Sequence, residues 1–469
     1  MPDYRMPDGS TPVLLSADSA DALRREAAAL AAYLVERPRL TPDAVADMLL
    51  RTRGPRRFRA LAMVSDIDQL LDALRAVADG RPHPAVATGA GAAARRIAYV
   101  FPGQGSQRPG MGLLYYRHSP AFRAAVEECD AMFRKLHDIS PLRYLVHEDG
   151  QAREGVEIVQ PALFMQMLGL AAMWRAVGVE PDVTIGHSQG EIAAAVASGA
   201  ISLADGVQVV AVRARIVSET ELEHGWDRHW AMAVLGVDRD ECEALLARNS
   251  GWAELAVVNS AHILAISGER TAISELVAQV NAQGKFAKEI RVEYPAHTSF
   301  VSKYRGVLEV ELGDTLENPE FNDTEIPCLG GTLGDAITPD VSCAEYWYWN
   351  LRNRVRFDLA VAAAAAREVD VFVEIADHPA LVLAMQETLH GVAGKREFLT
   401  VGTSRRSATD LHEFSRNLAQ VAVADAGFSW AALRDPASDT VRLPLLDFPN
   451  TQTNSKRLWA PYMSEAELA

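Results

Sequence analysis

The chain has 469 residues, of which 49% are hydrophobic and 23% charged, so it can bury one large core and still carry smaller units. Its formal net charge of -16 repels phosphate backbones, which argues against nucleic acid as a partner. The four cysteines stand far apart, which argues against structural zinc and a disulfide framework. There is no signal-peptide core and no uncharged apolar run of about twenty residues, so we expect a cytoplasmic protein without a membrane span.

Residues 12–80 are predicted to form an N-terminal αβ unit. Two apolar runs, PVLLSA and FRALAMVS, have strand character, and helical periodicity follows each of them. In the first helix the apolar residues recur at helical spacing, so one face packs against another element. Residues 80–96 are rich in Gly, Ala and Pro without periodicity, which predicts a linker and a domain boundary.

The next segment carries a strand that ends in a glycine-rich loop. The short apolar run IAYVF leads into FPGQGSQRPGMG, as a buried parallel strand entering a functional loop does. The run DVTIG then leads into Ser188 and a helix at 191–198 that Gly199 ends. This order predicts a doubly wound, α/β-hydrolase-like core that comprises residues 97–227 and 295–432.

Between residues 228 and 294 the pattern changes to short strands and two helices. The strands are AMAVLGV, LAVVNS, ILAISG and FAKEIRV, with helices at 238–248 and 270–283. This βαββαβ order predicts a ferredoxin-like subdomain inserted into the core. The tail, residues 433–469, is extended and contains proline, and we expect it to wrap back over other parts of the chain.

The segment GHSQG, residues 186–190, fits the pattern G-x-S-x-G between a strand and a helix. Gly186 and Gly190 remove side chains where strand and helix crowd together, so Ser188 can occupy a strained turn with its Oγ exposed. The helix N-terminus presents free N–H groups to a reacting carbonyl. We therefore predict that Ser188 is a nucleophile; the alternative is a structural turn with an incidental serine.

A serine nucleophile needs a base near neutral pH, and histidine is the usual one. His187 adjoins the serine, but successive side chains diverge, so we expect it to border the substrate pocket rather than to take the Ser188 proton. His297 lies in VEYPAHTS, where the chain leaves the inserted subdomain, and such a junction commonly lines a cleft. Spacing alone leaves two readings of His297, a base or a hydrogen-bonded structural histidine, and favours the second.

The helical period distinguishes two arginines in the helix at 203–218. Arg213 has apolar residues three and four positions away on both sides, so its base lies on an apolar stripe. Arg215 can instead pair outward with Glu219. The sequence therefore predicts a buried guanidinium at Arg213, which needs either an anionic ligand or a distant internal carboxylate.

Several motifs occur in order along nearly the whole chain: FPGQGSQRPGMG, VQPALF, GHSQGE, VRAR, VNSA, YPAH, YWYWNLRNRVRF and FVEIADHPALV. Together they resemble the acyltransferase domain of modular type I polyketide synthases, which is related to the malonyl transacylase of fatty-acid synthesis. Residues 12–80 resemble the linker between ketosynthase and acyltransferase. Residues 433–469 resemble the segment that follows the acyltransferase, although they lack its usual aromatic-rich ending.

The resemblance implies a role for particular residues of these motifs. It makes Ser188 the acylated nucleophile and His297 its general base, oriented by the backbone carbonyl of Asn353, so that a dyad replaces a triad. It assigns the oxyanion hole to the backbone N–H groups of Gln104 and Gln189. Supporting positions in the pocket are implied for Gln160, Asn259 and Tyr294.

The same resemblance implies a substrate class. Arg213 matches the family arginine that holds the free carboxylate of malonyl-type substrates. Tyr294, Gln189 and the stretch VEIVQ match residues that accompany methylmalonyl selection, whereas Pro295 and Ala296 depart from the usual residues. The implied reaction is ping-pong transfer of a dicarboxylic extender unit, with methylmalonyl favoured over malonyl or another substituted malonyl.

The donor implied by the resemblance is a CoA thioester, and the acceptor is the phosphopantetheine thiol of an acyl carrier protein. Ketosynthase or other synthase domains are the implied neighbours, and no bound cofactor or metal is expected. Two other functions stay open: a serine hydrolase that clears acyl groups from carrier protein, and a non-catalytic scaffold module. Arg213 argues against the hydrolase, and the intact set of Ser188, His297 and Arg213 argues against the scaffold.

Overall fold

The computed structural model describes residues 4–91, 93–147, 155–223, 230–290, 292, 294–392, 394, 396–434 and 443–453; for 219–223 it describes the backbone alone. The chain divides into two units. One comprises the residues up to Ala94 together with those from Leu418 onward, and the other comprises Arg95–Asn417. Our prediction had assigned residues 418–432 to the core, whereas this division groups them with the N-terminal residues.

The first unit is a small sheet with helices. In chain order its elements are β1 (Thr11–Ala17), α1 (Ala20–Val35), α2 (Pro42–Thr52), β2 (Phe58–Val64), α3 (Ile67–Asp79) and β3 (Val86–Ala90). The strands pair antiparallel in the order β1-β2-β3. Ser19 and Asp66 cap α1 and α3 with side-chain acceptors, and the apolar faces of the helices close a core over the sheet.

The prediction of a linker at residues 80–96 is wrong for part of that segment. Residues Val86–Ala90 form β3, and their backbone pairs with β2 from Phe58 to Ala62. The residues of β3, VATGA, have small side chains, as a strand that lies against another backbone segment requires. A Cβ atom on Gly89 would lie 2.3 Å from the carbonyl oxygen of Val423. Composition alone therefore suggested a flexible segment where the structure has an ordered strand.

The described part of the tail, residues 443–453, lies along the first helix of the same unit. The hydroxyl of Tyr33 donates to the backbone oxygen of Leu446 at 2.9 Å, and the ring of Phe448 packs edge-on against Tyr33. The N–H of Gln452 donates to the carboxylate of Glu26 at 2.8 Å. These contacts attach the tail segment to α1.

The second unit contains two sheets. In chain order its elements are β4 (Arg96–Phe101), α4 (Leu113–His118), α5 (Pro120–His137), α6 (Leu142–Val146), α7 (Val156–Ala176), β5 (Val183–Gly186), α8 (Gly190–Ser198), α9 (Leu203–Glu223), β6 (Trp230–Leu235), α10 (Arg239–Arg248), β7 (Ala253–Val258), β8 (Leu264–Glu269), α11 (Arg270–Ala282), β9 (Ala287–Ile290), α12 (Arg305–Thr315), β10 (Cys328–Gly330), β11 (Asp335–Ala336), α13 (Cys343–Arg352), β12 (Val355–Arg356), α14 (Phe357–Ala366), β13 (Val369–Glu374), α15 (Val382–Val392) and β14 (Leu399–Gly402). The last helix, α16 (His412–Ala424), begins in this unit and ends in the first, because the division falls after Asn417. The mixed α/β fold that we predicted is confirmed.

The large sheet has the strand order β11-β10-β5-β4-β13-β14. All neighbouring strands except β10 and β11 run parallel, and β4 after its first residue, Arg96, and the whole of β5 are buried. Phe101 at the end of β4 pairs with Gly186 at the end of β5. The loops that follow these two strands therefore start at the same edge of the sheet, which brings FPGQG beside GHSQG.

The small sheet has the strand order β12-β7-β8-β6-β9; the four strands of residues 230–290 pair antiparallel with one another, and β12 pairs with β7 in parallel. Its chain order, β6-α10-β7-β8-α11-β9, is the βαββαβ order predicted from the sequence. Alternate residues of β6 face opposite sides: Ala233 and Leu235 enter the core under the helices, whereas Met232 and Val234 line a cavity. The sheet is extended by β12, which the sequence did not predict.

One helix of the described residues, α7, is long and apolar enough to cross a bilayer by length and composition. Its mean hydropathy is 1.4 over the apolar window, and 78% of that window is buried inside the protein, where α7 packs against α5 and α9. A core helix of a folded domain has the same properties, so the observation is weak evidence for a membrane span.

Candidate active site

The turn between β5 and α8 holds Ser188 in a left-handed backbone conformation, with φ at +56°. Glycine is required on both sides of this turn, at Gly186 and Gly190, because neighbouring backbone atoms leave no room for a side chain. A Cβ atom on Gly186 would lie 2.2 Å from the Cα of Glu191, and one on Gly190 would lie 2.2 Å from the carbonyl oxygen of Phe101. The strand, the helix and the neighbouring strand end thus force a sharp, strained turn at the serine.

Ser188 and His297 are hydrogen-bonded to each other. The Oγ of Ser188 lies 2.7 Å from Nε2 of His297, and Nδ1 of His297 lies 3.0 Å from the backbone oxygen of Asn353. A carbonyl can only accept, so Nδ1 carries the proton and Nε2 is free to accept the serine proton. His297 itself has a left-handed φ of +61°, and its N–H donates to the backbone oxygen of Leu351 at 3.0 Å.

The surroundings keep His297 neutral. Burial lowers its pKa to about 3, and the nearby positive charge of Arg213 and the ring of His187 act in the same direction. A neutral imidazole with a fixed tautomer is the form that removes a proton from a hydroxyl. The structure therefore brings together the two residues that the sequence predicted as nucleophile and base, with Asn353 at the predicted orienting position.

Arg213 lies beside the nucleophile and is 2% exposed. Its Nη1 donates to Oδ1 of Asn350, and its Nη2 lies 3.5 Å from Oγ of Ser188. Nε is buried without a partner, and no carboxylate of the described residues lies within ion-pair distance. Arg215 points outward as predicted and pairs with Glu311, while the side chain of Glu219 lies outside the described residues.

His187 is half-buried, and it does not contact the serine hydroxyl within the described structure. Its Nε2 lies 2.9 Å from Oδ1 of Asn259, and its ring packs edge-on against Phe357. Burial lowers its pKa to about 4. Both His187 and Asn259 line the same cavity as Ser188, which places the two predicted pocket residues at the wall of the site.

Three further predicted residues form one hydrogen-bonded cluster. The hydroxyl of Tyr294 donates to Oε1 of Gln104 at 2.9 Å, and Nε2 of Gln160 lies 3.1 Å from both of these oxygens. Gln104 follows β4, Gln160 lies in the first turns of α7, and Tyr294 follows the small sheet. The structure thus joins residues from three separate parts of the chain at one side of the nucleophile.

The two backbone N–H groups predicted for the oxyanion hole belong to adjacent turns. A Cβ atom on Gly103 would lie 3.5 Å from Cβ of Ser188, so the loop that carries Gln104 touches the elbow. Gln189 precedes the first residue of α8. Neither N–H donates a hydrogen bond to any described residue, which leaves both available to an oxygen of a ligand.

Four buried residues behind the elbow were not predicted from the sequence, and we call them the rear network: Glu191, Thr332, Tyr346 and Asn350. One oxygen of Glu191 accepts from the N–H and the hydroxyl of Thr332, both at 2.9 Å, and the other accepts from the hydroxyl of Tyr346. Nδ2 of Asn350 donates to the carbonyl oxygen of Ser188 at 2.9 Å and lies 3.2 Å from Oγ1 of Thr332.

The rear network had a signal in the sequence. Tyr346 and Asn350 are four residues apart in α13, so they share one helix face, and a buried asparagine on an aromatic face requires partners. Glu191 lies in the first turn of α8, where burial raises its pKa to about 7. This shift comes from burial in the folded structure, so the sequence alone does not show it.

The nucleophile opens into a cavity of about 720 Å³. Side chains of the small sheet form an apolar wall, and the elbow and the loop after β4 form the polar wall. Five further charged or titratable side chains line it, four cationic or imidazole groups and one carboxylate: Arg108, Lys288, His378, Arg406 and Glu289. The cavity is large enough for an extended, partly apolar acyl thioester.

The chain matches the model of the acyl transferase domain family over residues 98–427. Among curated proteins, polyketide synthase GfsA of Streptomyces halstedii is 34% identical over 97% of this chain, and erythronolide synthase EryA3 of Saccharopolyspora erythraea is 36% identical over 98%. The chain spans only 6% and 14% of the lengths of these two relatives.

Solved structures give the same result. The acyltransferase domain from module 8 of the salinomycin polyketide synthase has a TM-score of 0.80 and 33% identity, covering 90% of this chain and 98% of that one. The acyl transferase domain of SpnD, solved with 2-(pent-4-yn-1-yl)malonyl, has a TM-score of 0.75 and 28% identity, covering 91% and 98%. The chain therefore belongs to the acyl transferase domain family and is an acyltransferase enzyme of the kind found in modular polyketide synthases.

Proposed function

We propose that the chain transfers a dicarboxylic extender unit, methylmalonyl in preference to malonyl, from a CoA thioester to the phosphopantetheine thiol of an acyl carrier protein. The observation that carries the proposal is Arg213. Its guanidinium is buried next to Oγ of Ser188 and has only neutral partners among the described residues. A desolvated cation in that position favours an acyl group that brings its own carboxylate.

The proposed reaction proceeds through two acyl transfers. His297 Nε2 accepts the proton as Oγ of Ser188 attacks the thioester carbonyl, and the N–H groups of Gln104 and Gln189 donate to the developing oxyanion. The tetrahedral intermediate collapses, the C–S bond breaks, and His297 returns the proton to the leaving CoA thiolate. The carrier thiol then loses its proton to His297 and attacks acyl-Ser188 in the same way.

The proposed preference for a methyl substituent on the α-carbon of the acyl group rests on Tyr294, a member of the cluster with Gln104 and Gln160, and on Gln189. Tyr294 and Gln189 match the sequence features that accompany methylmalonyl selection. The SpnD domain, which is similar to this chain, was solved with a substituted malonyl group. A pocket that distinguishes one methylene commands only about 1–3 kcal/mol, so malonyl and larger α-substituents are expected to react more slowly rather than not at all.

The partners follow from the same proposal. The relatives are much longer than this chain, and we propose that residues 12–80 serve as the linker to a ketosynthase and that the tail from residue 433 follows the acyltransferase core. Residues 97–227 and 295–432 then form that core, with residues 228–294 as its inserted subdomain. The proposed cofactor is carried by the partner, as phosphopantetheine on the carrier protein.

The test is acylation by a panel of thioesters, followed by mass spectrometry. Methylmalonyl-CoA, malonyl-CoA and propionyl-CoA are each mixed with enzyme, and the peptide that contains Ser188 is analysed for the acyl mass. We expect methylmalonyl to give the fastest labelling and holo carrier protein to discharge it. Loss of the acyl group to water at one rate, with or without carrier protein, would instead support the hydrolase.

A further inference from the structure

Asn350 connects the nucleophile to Arg213. It lies in α13 and is 1% exposed, and both polar atoms of its side chain are hydrogen-bonded. Oδ1 accepts from Nη1 of Arg213, and Nδ2 donates to the carbonyl oxygen of Ser188 and to Oγ1 of Thr332. One amide thus touches the backbone of the reacting serine and the guanidinium beside its hydroxyl.

The orientation of this amide is fixed by its neighbours. The carbonyl oxygen of Ser188 can only accept, so the NH₂ group of Asn350 must face it, and the oxygen of Asn350 must face Arg213. Thr332 donates its hydroxyl proton to Glu191 and can therefore accept the second proton of the amide. Reversing the amide would place two acceptors together at Ser188 and two donors together at Arg213.

The neutrality of Asn350 is as important as its position. A carboxylate at this point would form an internal ion pair with Arg213 and would compete with the carboxylate of any substrate. Glu191, the acidic member of the rear network, has both oxygens occupied by Thr332 and Tyr346. Asn350 is therefore a neutral acceptor that fixes the direction of Arg213. Glu191 is near enough for the charge of Arg213 to oppose the rise that burial causes in its pKa, but its hydrogen bonds go to Thr332 and Tyr346.

We propose that Asn350 is a positioning residue that aims the guanidinium of Arg213 at the acyl site and keeps its charge available to a substrate carboxylate. It acts through Arg213 and has no contact with the reacting atoms. The inference rests on the proposed function, because it requires that Arg213 binds the carboxylate of a dicarboxylic donor. It adds the residue on which that selection depends.

The experiment compares charged and neutral acyl donors in Asn350 variants. kcat and KM are measured for methylmalonyl-CoA and propionyl-CoA in wild type, Asn350→Asp and Asn350→Ala. In Asn350→Asp the new carboxylate pairs with Arg213, so we expect KM for methylmalonyl-CoA to rise about tenfold or more, and the methylmalonyl to propionyl ratio of kcat/KM to fall by about the same factor.

Asn350→Ala removes the acceptor without adding a charge. We expect a smaller loss of the ratio than in Asn350→Asp, together with a lower kcat for both donors because the carbonyl of Ser188 loses a donor. Asn322→Asp is the matched control, since this exposed residue bonds to the backbone oxygen of Gly199 and gains the same charge away from the site. It is expected to keep the wild-type ratio.

The outcomes separate the two proposals. If wild type shows no preference for methylmalonyl over propionyl, the proposed function fails, and the positioning role fails with it. If wild type shows the preference and folded Asn350 variants lose activity equally with both donors, Asn350 is only structural and this inference alone is overturned. Should Asn350→Asp not fold, the ratio in Asn350→Ala decides, because an unchanged ratio there contradicts the positioning role.

Discussion

Ser188 lies between the residues of the cavity side and the rear network, which differ in how completely their polar atoms are hydrogen-bonded. On the cavity side, Gln160 and His187 each keep one buried polar atom without a partner among the described residues, Oε1 and Nδ1 respectively. In the rear network, both oxygens of Glu191 and both polar atoms of Asn350 are hydrogen-bonded. The two unpartnered atoms are themselves buried, as are the side chains of Glu191 and Asn350, so solvent exposure does not explain the difference.

A fully bonded network holds its members in one arrangement, whereas unpaired buried atoms carry a desolvation cost that a ligand can relieve. The rear network therefore fixes the elbow and Arg213 before substrate arrives. The cavity side keeps its bonding capacity for the acyl group and the thioester arm. The rear network is thus preorganised, and the cavity side keeps unpaired hydrogen-bonding atoms. This arrangement is expected of a site that stabilises the charge that develops in a transition state.

The largest effect is expected from the loss of Oγ of Ser188, the residue that lies between the cavity side and the rear network. Ser188→Ala is expected to abolish covalent labelling by acyl-CoA donors while the fold is retained, because alanine keeps the elbow backbone and only Oγ is lost. Intact-protein mass spectrometry after incubation with methylmalonyl-CoA measures the labelling, and circular dichroism checks the fold. Stoichiometric acyl-enzyme in the alanine variant would assign the nucleophile to another residue.

Removing the base tests the cavity side of the dyad. His297→Ala is expected to slow acylation by a factor of about 10² to 10⁴, the usual contribution of a positioned general base, with a much smaller change in KM. Single-turnover labelling gives the rate. His187→Ala is the matched control because it removes a half-buried neighbouring imidazole that bonds to Asn259 instead of the serine; an equal loss in both variants would contradict the assignment.

The pH profile sharpens the same point. The base acts in its neutral form, so its contribution is lost only as pH falls through the pKa of the folded protein, which burial and Arg213 lower to about 3 for His297. Acylation rates are therefore expected to show no histidine inflection between about pH 5 and pH 8, the range in which an ordinary histidine titrates. An inflection near the usual histidine value would show that another group is the base.

Arg213→Ala removes the side chain that we propose binds the substrate carboxylate and that bonds to Asn350 of the rear network. The methylmalonyl to propionyl ratio of kcat/KM is expected to fall about 30-fold, which corresponds to about 2 kcal/mol. A charge-assisted bond to the substrate carboxylate is lost, and the penalty against neutral acyl groups disappears. Arg213→Lys should recover only part of the ratio, since one ammonium cannot reproduce the planar two-point contact. Steady-state kinetics with both donors measures it, and an unchanged ratio would assign selection elsewhere.

The smallest effect concerns the carboxyl group of the rear network. Burial raises the pKa of Glu191 to about 7, so folding binds a proton that the unfolded chain releases, and stability falls as pH rises from the ordinary value toward 7. Glu191→Gln removes this titration. Between about pH 6 and pH 8, the free energy of unfolding of the wild type is therefore expected to fall by about 1 kcal/mol more than that of Glu191→Gln. Urea unfolding at both pH values measures the difference, and parallel curves would contradict it.

The sequence predicted the cavity side better than the rear. The elbow follows from glycine spacing between a strand and a helix, and the inward direction of Arg213 follows from the apolar residues on its helical face. His297 was selected only through the family resemblance, because chain spacing cannot show that the exit of the inserted subdomain meets the end of β5. The structure supplies that proximity through a hydrogen bond across 109 residues of chain.

The rear network escaped prediction because its members come from three separate segments. Glu191 follows the elbow, Thr332 follows β10, and Asn350 lies near the end of α13, so their contacts depend on the pairing of β10 with β5. The sequence places Tyr346 and Asn350 on one helix face but does not show which residues they contact. The strand β3 was missed for a different reason, since its small residues serve a close backbone approach that composition does not reveal.

The left-handed backbone at Ser188 limits which side chains can replace it as a nucleophile. Threonine carries a second substituent on Cβ, which a positive φ tolerates poorly, so a Thr enzyme would require the elbow to relax. Cysteine has the same unbranched Cβ as serine and fits without that cost. A Ser188→Cys protein that is acylated at this position would hold its acyl group as a thioester in place of an oxygen ester.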